Sequence, residues 1–398
     1  MPLPTSIVIC SVARTPIAKF RGSLSSMKAS QLMGVAIQGA LSKLSPETQV
    51  DIREAILGNV VSAGMGQAPA RQAVLGAGLP ENTICTTINK VCASGMKSVM
   101  LSAQALTSGS EGAILAGGFE SMSNIPHYLP QSRSGTPLGH ATLIDGVIHD
   151  GLWDIYNDQH MGMCAEKCST DYSIDRQAQD DYAILSYQRA QQAWNDGVFQ
   201  NEVVPVHVPQ RRGDDVIVDK DEEPFAVKLD KLPKLSPAFD RKNGTVTAAN
   251  ASSLNDGACA LVIMTEDEAK EKGIQPLARI LGMGDAAQNP VDFTTTPSLA
   301  VPVAVEHAGL SLNDIDYHEI NEAFSVVALA NMHLLNLDVD RVNVFGGAVA
   351  LGHPIGMSGA RIVANLINVL QQEDATIGCA SICNGGGGAS AIVLERMS

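Results

Sequence analysis

Aromatic residues are scarce in this chain. Phe, Trp and Tyr together make up 4 % of its 398 residues, so bulky rings cannot dominate the core and small residues must fill it. Positive charge is also short: 27 Lys and Arg stand against 42 Asp and Glu, a formal net charge of −15. That balance argues against nucleic acid as a partner, because phosphate-backbone binding needs a basic face. It still permits an anionic small molecule held by a local lysine cluster. No apolar stretch reaches the roughly 18 residues of a membrane span. The opening Met1 to Ser6 is too short and uncharged to read as a leader, and the closing Arg396-Met397-Ser398 is not a peroxisomal address. The location expected is cytosolic.

Other signatures are missing too. The eight cysteines show no disulfide-framework spacing and are expected as free thiols. The only close pairs, Cys164 with Cys168 and Cys379 with Cys383, lack both the C-x2-C spacing and a matching histidine pair, which argues against structural zinc. There is no Walker A loop, no G-x-G-x-x-G between a strand and a helix, and no G-x-S-x-G nucleophile turn.

What is present is a glycine-rich globular composition: 36 Gly, 45 % hydrophobic and 17 % charged residues. The length suggests two or three domains. Apolar runs at Ile7–Val12, Ala55–Val61, Ile84–Asn89 and Ala113–Gly118 read as strands. Helical spacing covers Ser30–Leu44, stopping at Ser45-Pro46, then Pro69–Gly76 and an almost wholly apolar Cys92–Leu106. This alternation predicts an α/β fold with largely parallel pairing. From residue 122 to 249 the texture changes. Prolines including Pro126, Pro130, Pro137, Pro224 and Pro237 punctuate it, and one amphipathic helix, Asp175–Asp196, lies inside. The segment reads as an inserted, loop-rich subdomain. Residues 1–121 with 250–276 then form one α/β half and 277–398 a second. The first half closes on a strand expected at Ala260–Met264; in the second half, strands are expected at Ala278–Leu281, Asp316–Ile320, Val342–Val344, Thr376–Ile382 and Ala389–Leu394. Helices are expected at Leu299–Ala308, Glu322–Leu335 and Met357–Leu370.

Two stretches mirror one another. Cys92-Ala93-Ser94-Gly95-Met96-Lys97-Ser98 and His353-Pro354-Ile355-Gly356-Met357-Ser358-Gly359 each open on a reactive side chain and lead into a helix, a short β run and glycines. A duplicated scaffold would bring the two helix starts face to face, cysteine to histidine. Cys383, ahead of four glycines, would be near. An unperturbed thiol is only about 3 % thiolate at pH 7. A helix N-terminus that lowered its pKa by about two units would raise that to roughly three quarters. Taken singly, each residue has a plainer reading: Cys92 as a buried structural thiol, His353 as a loop histidine, the glycine run as a loop, Asn321 as a helix N-cap.

Together the motifs resemble the thiolases along the whole chain. The matching pieces are Ala13–Pro16, Gly66–Gln72, Asn89–Gly95, Gly117–Met122, Asn243–Asp256, Asn321–Phe324, Gly346–Arg361 and Cys383–Gly388. The resemblance implies two similar halves in a five-layered α/β/α/β/α arrangement. It implies a Claisen condensation of two acetyl-CoA to acetoacetyl-CoA, with Cys92 as nucleophile, His353 as its base and Cys383 as the acid and base for the second substrate. One oxyanion hole would use His353 with an Asn321-bound water, the other the backbone N–H groups of Cys92 and Gly385. For CoA it points to His160, Met161, Phe239, Phe293, Phe324, Tyr187, Ser252, Lys228 and Lys231. It implies no organic cofactor. For a K⁺ activator it points to Tyr187 and the carbonyls of Ala248, Ala249, Ala251 and Val349. It further implies a homotetramer whose product feeds the mevalonate and sterol route, with a degradative 3-ketoacyl-CoA thiolase of broader chain length as the alternative.

Overall fold

The computed structural model describes residues 3, 5–45, 50–135 and 138–397; Met1, Pro2, Pro4, Pro46, Pro137 and Ser398 lie outside them. Nine strands of one sheet carry the architecture. They are β1 (Ile7–Arg14), β2 (Ile52–Gly58), β3 (Ile84–Ile88), β4 (Ala113–Ser121), β5 (Asn255–Thr265), β6 (Ala278–Ala287), β7 (Tyr317–Ile320), β8 (Ile377–Asn384) and β9 (Gly388–Arg396). Their order is β7-β8-β9-β6-β1-β5-β4-β2-β3. The order reads alike outward from the β1–β6 pair: two antiparallel neighbours, then a parallel one on each side. This is the pseudo-dyad anticipated from the paired motifs.

Pairing is not largely parallel, as the alternation had suggested. Five of the eight junctions are antiparallel and three are parallel. The cause is connectivity. β9 follows β8 through a tight glycine turn, and such a hairpin can only be antiparallel. β5 returns from the long inserted segment and not from a crossover helix. A second correction concerns Val342–Val344, which form no strand. Val342 makes a single parallel bridge to His318. Asn343 (φ 51°) breaks the extended run and its amide caps β7 instead, accepting from the Ile320 N–H at 2.8 Å and donating to the Ile320 carbonyl at 2.8 Å. A third concerns the helix expected from Glu322, which begins only at Ser325. Residues 321–324 are tied to the 250–252 segment, where Ala251 bridges Phe324.

Helices make up the remaining layers. α3 (Ser94–Thr107) and α8 (Ser358–Gln372) pack together between the two halves of the sheet. α1 (Ala29–Ser42) and α2 (Pro69–Gly76) cover one outer face; α6 (Pro297–His307) and α7 (Ser325–Leu335) lie on the other side. Small residues permit the central contact. A Cβ on Gly95 would lie 2.6 Å from the Ala360 nitrogen, and one on Gly359 would lie 2.4 Å from the Met96 nitrogen. The two helix starts therefore meet backbone to backbone.

The inserted segment contributes α4 (Met161–Asp171) and α5 (Arg176–Asn195). It is pinned to β1 by Arg14, which is fully buried and pairs with Glu202 (2.6 Å) and Asp221 (2.8 Å) of the insert.

Candidate active site

Cys92 lies on the turn between β3 and α3. Asn89 Oδ1 accepts from the Val91 N–H at 2.8 Å, and Ser94 Oγ accepts from the Lys90 N–H at 2.8 Å while donating to the Val91 carbonyl at 2.6 Å. These bonds hold Val91 at φ 48°. A β-branched residue there is strained, and the strain sits directly before the candidate nucleophile. The neighbouring Lys90 reaches across to Asp285, Ser390 and the Ala389 carbonyl, tying this turn to the β8–β9 hairpin, where Ala389 pairs with Cys383.

The Cys92 thiol is not acidified. Burial pushes its pKa up to about 11, although the N–H groups of Gly385 and of Cys92 itself point at the sulfur and pull the other way. This corrects the expectation of a thiolate prepared by the helix start: desolvation outweighs the dipole. Cys383 is fully buried, and its thiol is raised too, first by burial and then by proximity to Cys92. Both thiols therefore rest as neutral groups.

His353 follows Gly352, whose φ of 101° turns the chain against Asn255. The His353 N–H donates to Asn255 Oδ1 at 2.8 Å. Its Nδ1 lies 2.6 Å from Ser358 Oγ, and that hydroxyl donates to the Pro354 carbonyl at 3.1 Å. Only one arrangement satisfies all three atoms: Nδ1 carries the proton and donates to Ser358. Nε2 is left with a free lone pair and has no partner among the described residues. Burial, reinforced by the Arg361 charge, brings the imidazole pKa down to about 3. His353 is thus a neutral imidazole with its basic nitrogen unengaged.

Asn321 directly follows β7, and its N–H donates to the Ser381 carbonyl at 3.0 Å. It is no helix cap, since α7 starts later from Phe324. Both polar atoms of its fully buried side chain lack a partner among the described residues. A buried amide in that condition is held for a water or a substrate oxygen.

A cavity of about 430 Å³ opens onto Cys92 and His353. Of the residues expected to contact CoA, His160, Met161, Ser252, Phe239, Phe293 and Phe324 line it, together with Ala248 and Ala251. His160 stacks on Phe239 (4.6 Å between centroids), and Phe239 meets Phe324 edge-on. Ser252 Oγ donates to the Ala323 carbonyl at 2.9 Å. Gly385 lines an adjoining cavity that shares Met161 and Phe293 as its wall. Lys228 precedes and Lys231 lies within the short 3-10 segment Leu229–Lys234; both are exposed and neither lines the cavity. Tyr187 does not reach the cavity, contrary to its expected CoA contact; its ring is buried in the core with Ala249 and Val349.

Burial and then the nearby carboxylates of Glu223 and Glu322 raise the Tyr187 phenol pKa. A buried phenol near two carboxylates is an oxygen-rich, negatively charged setting of the kind a hard cation takes. Glu322 itself accepts from Tyr182, Ser186, Asn343 and the Val349 N–H.

Several contributors had no signal on which to single them out. Ser358 stands five residues after His353 and looks like a helix-start serine. Asn255 is remote in sequence. Both, like Glu120, lie inside the motifs quoted above, which attach no role to them.

The chain belongs to the thiolase family. Residues 7–267 match the family described as thiolase, N-terminal domain, and residues 274–396 match thiolase, C-terminal domain. It is an enzyme of that class. Its relatives include acetyl-CoA acetyltransferase 1 of Arabidopsis thaliana, 54 % identical over 99 % of this chain and 95 % of that one. They also include acetyl-CoA acetyltransferase ERG10, cytosolic, of Gibberella zeae, 53 % identical over 98 % of both chains, and the mitochondrial acetyl-CoA acetyltransferase of Bos taurus, 53 % identical over 100 % of this chain and 93 % of that one. Among solved structures, the Acat5 thiolase of Ascaris suum in complex with coenzyme A superposes with a TM-score of 0.92. It is 45 % identical and the match covers 98 % of this chain and 100 % of that one.

Proposed function

We propose that this chain catalyses the reversible condensation of two acetyl-CoA to acetoacetyl-CoA and CoA. The carrying observation is the convergence on one cavity of a thiol that accepts the Gly385 N–H and a histidine with an unengaged Nε2, with a second buried thiol close behind.

Cys92 Sγ attacks the thioester carbonyl while its proton passes to His353 Nε2. With the thiol pKa high and the imidazole pKa low, a free ion pair is costly, so proton transfer is coupled to formation of the S–C bond. The C–S bond to CoA then breaks, and the departing thiolate takes its proton from Cys383. The Cys383 thiolate removes a methyl proton from the second acetyl-CoA. The resulting enolate attacks the acetyl group on Cys92, and the released Cys92 thiolate recovers its proton from His353. Each proton is returned within the cycle. The Cys92 and Gly385 N–H groups, which bond the sulfur at rest, are assigned to one oxyanion, and the Asn321 amide, through a water, to the enolate oxygen with His353.

Iodoacetamide labelling with peptide mapping tests the nucleophile. Cys92 is expected to be labelled and to be protected by acetyl-CoA, whereas selective labelling of Cys10 or Cys259 overturns the assignment. A series of 3-ketoacyl-CoA substrates tests the acetyl preference. Equal cleavage of long and short chains would favour the broader degradative reading.

The finer reading places the reaction in the cytosol, ahead of mevalonate and sterol synthesis, in a homotetramer. The cytosolic designation of the Gibberella zeae relative supports the compartment. The outer edge of β3, with Ile84 64 % exposed, supports a chain-to-chain contact. A tagged chain found in mitochondria would overturn the first, and a monomeric mass in solution the second. K⁺ activation belongs to the same reading.

A further inference from the structure

The turn that carries His353 belongs to the C-terminal half, but, besides Ser358, two side chains that hold it come from the N-terminal half. Asn255 on β5 takes the His353 N–H. Glu120, on the adjacent β4 and in register with Gly257, takes the other end of the turn: its Oε2 accepts from the Gly356 N–H at 3.1 Å. The same carboxylate accepts from the Val60 N–H (3.0 Å), the Val61 N–H (3.3 Å) and the Asn59 amide (3.0 Å) on the loop after β2. It is buried, with 1 % exposure. The surrounding backbone is as close as it can be: a Cβ on Gly118 would lie 2.0 Å from the Gly356 carbonyl oxygen. One buried carboxylate thus gathers four donors from both halves, next to the two reacting side chains.

We propose that Glu120 is a positioning residue for acyl transfer, clasping the histidine turn to the N-terminal half so that His353 Nε2 and Cys92 Sγ keep a working separation. The proposal rests on the reaction assigned above to Cys92 and His353.

Its charge has a second consequence. Among the described residues, the ionisable groups near Cys92 include Glu120 on β4, Cys383 on β8 and His353 before α8, with Arg361 of α8 beyond the histidine and His160 on the wall of the same cavity. A negative Glu120 raises the Cys92 pKa, so a neutral side chain there lets the thiolate form at lower pH.

Two variants separate reach from charge. Glu120→Gln is neutral and keeps one acceptor oxygen; Glu120→Asp keeps the charge and withdraws it from Gly356. Both are expected to lower kcat about 10–100-fold, the scale of a displacement near 1 Å, with KM for the CoA thioester little changed. Alkylation of Cys92 by iodoacetamide, followed against pH, should move to lower pH in Glu120→Gln and stay at the wild-type position in Glu120→Asp. A residue that merely supports the fold would lower turnover in both variants and leave both alkylation profiles together; that result overturns the proposal, as does wild-type turnover in Glu120→Asp. Should Glu120→Gln fail to give a cooperative thermal melt, the turnover of Glu120→Asp decides alone. If the wild-type protein itself shows neither thiolysis nor alkylation at Cys92, the assigned reaction fails and the proposal fails with it.

Discussion

The Ser358 hydroxyl oxygen lies 2.6 Å from His353 Nδ1 and donates to the Pro354 carbonyl one turn back. One serine thereby fixes both the tautomer and the tilt of the imidazole. Ser358→Ala removes the acceptor for Nδ1–H and frees the ring to rotate or to exchange tautomers. The expected outcome is a fall in kcat of up to about 100-fold, part of what a general base contributes, with KM nearly unchanged. Steady-state kinetics in the thiolysis direction check it; an unchanged kcat would show that Ser358 does not hold the ring.

The two thiols should separate by half-reaction. Cys92→Ser is expected to abolish acetyl-enzyme formation, seen as loss of the acetylated species by mass spectrometry. Cys383→Ser should still form that species, more slowly because the departing CoA thiolate has lost its proton donor, but lose condensation by at least about 100-fold, because a serine hydroxyl is too weakly acidic to shuttle the proton. If Cys383→Ser condenses normally, the second thiol is not the carbon acid's base.

Much of this site was legible in local pattern, because Cys92 and His353 each open a helix and those helix starts are built from small residues. Gly95 and Gly359 reveal the close approach only once both helices are placed. What stayed hidden was tertiary. The pKa of Cys92 depends on how much water the fold removes, and neighbouring residues in the chain do not report that. Strand direction was misread because β8 and β9 join by a glycine turn and β5 by a long insert; neither looks different from a crossover when apolar runs alone are counted. Val342–Val344 has strand-like residues, yet Asn343 spends its amide on β7. Tyr187, on a helix face like its neighbours, gives no sign of whether its ring turns to the cavity or to the core.

The helix contact itself can be tested. Gly359→Val places a branched side chain where Cβ alone would meet the Met96 nitrogen at 2.4 Å. Overpacking of this kind costs about 1–3 kcal/mol, and here it also separates Cys92 from His353. A lower thermal midpoint and a loss of turnover are expected together. Full activity with wild-type stability would mean that the two helix starts are not in contact.

His318 is buried, and burial with the Arg341 charge lowers its pKa from 6.5 to about 4. In this window the unfolded chain binds a proton that the folded chain refuses, so the His318 contribution to stability is complete above the unfolded pKa and is lost as pH falls from 6.5 towards about 4. Glu120 and Glu319, raised by burial to about 7 and about 8, act in the opposite sense, their charging disfavouring the fold as pH rises. The wild-type curve is therefore flattened and the variant difference is the clean measure. Relative to wild type, His318→Asn should gain stability progressively on acidification, with a limiting slope near 1.4 kcal/mol per pH unit. Denaturant unfolding at several pH values checks this, and a difference independent of pH would show that His318 titrates normally in the folded state.

Tyr187 offers the last test, because its ring is buried near Glu322 and Glu223 and does not line the cavity that opens onto Cys92. If its phenol helps to hold a cation, K⁺ should stimulate turnover relative to a buffer containing only a bulky organic cation. Tyr187→Phe should raise the K⁺ concentration needed for half-maximal stimulation, since it removes one oxygen donor and leaves the carbonyls. The cation would act by fixing the 248–252 segment, whose Ala248, Ala251 and Ser252 line the cavity; the effect should therefore fall mainly on KM for the CoA thioester. Equal activity in K⁺ and in the organic-cation buffer removes the cation from the reading altogether. Stimulation that survives unchanged in Tyr187→Phe would leave a cation effect but place it elsewhere than at this phenol.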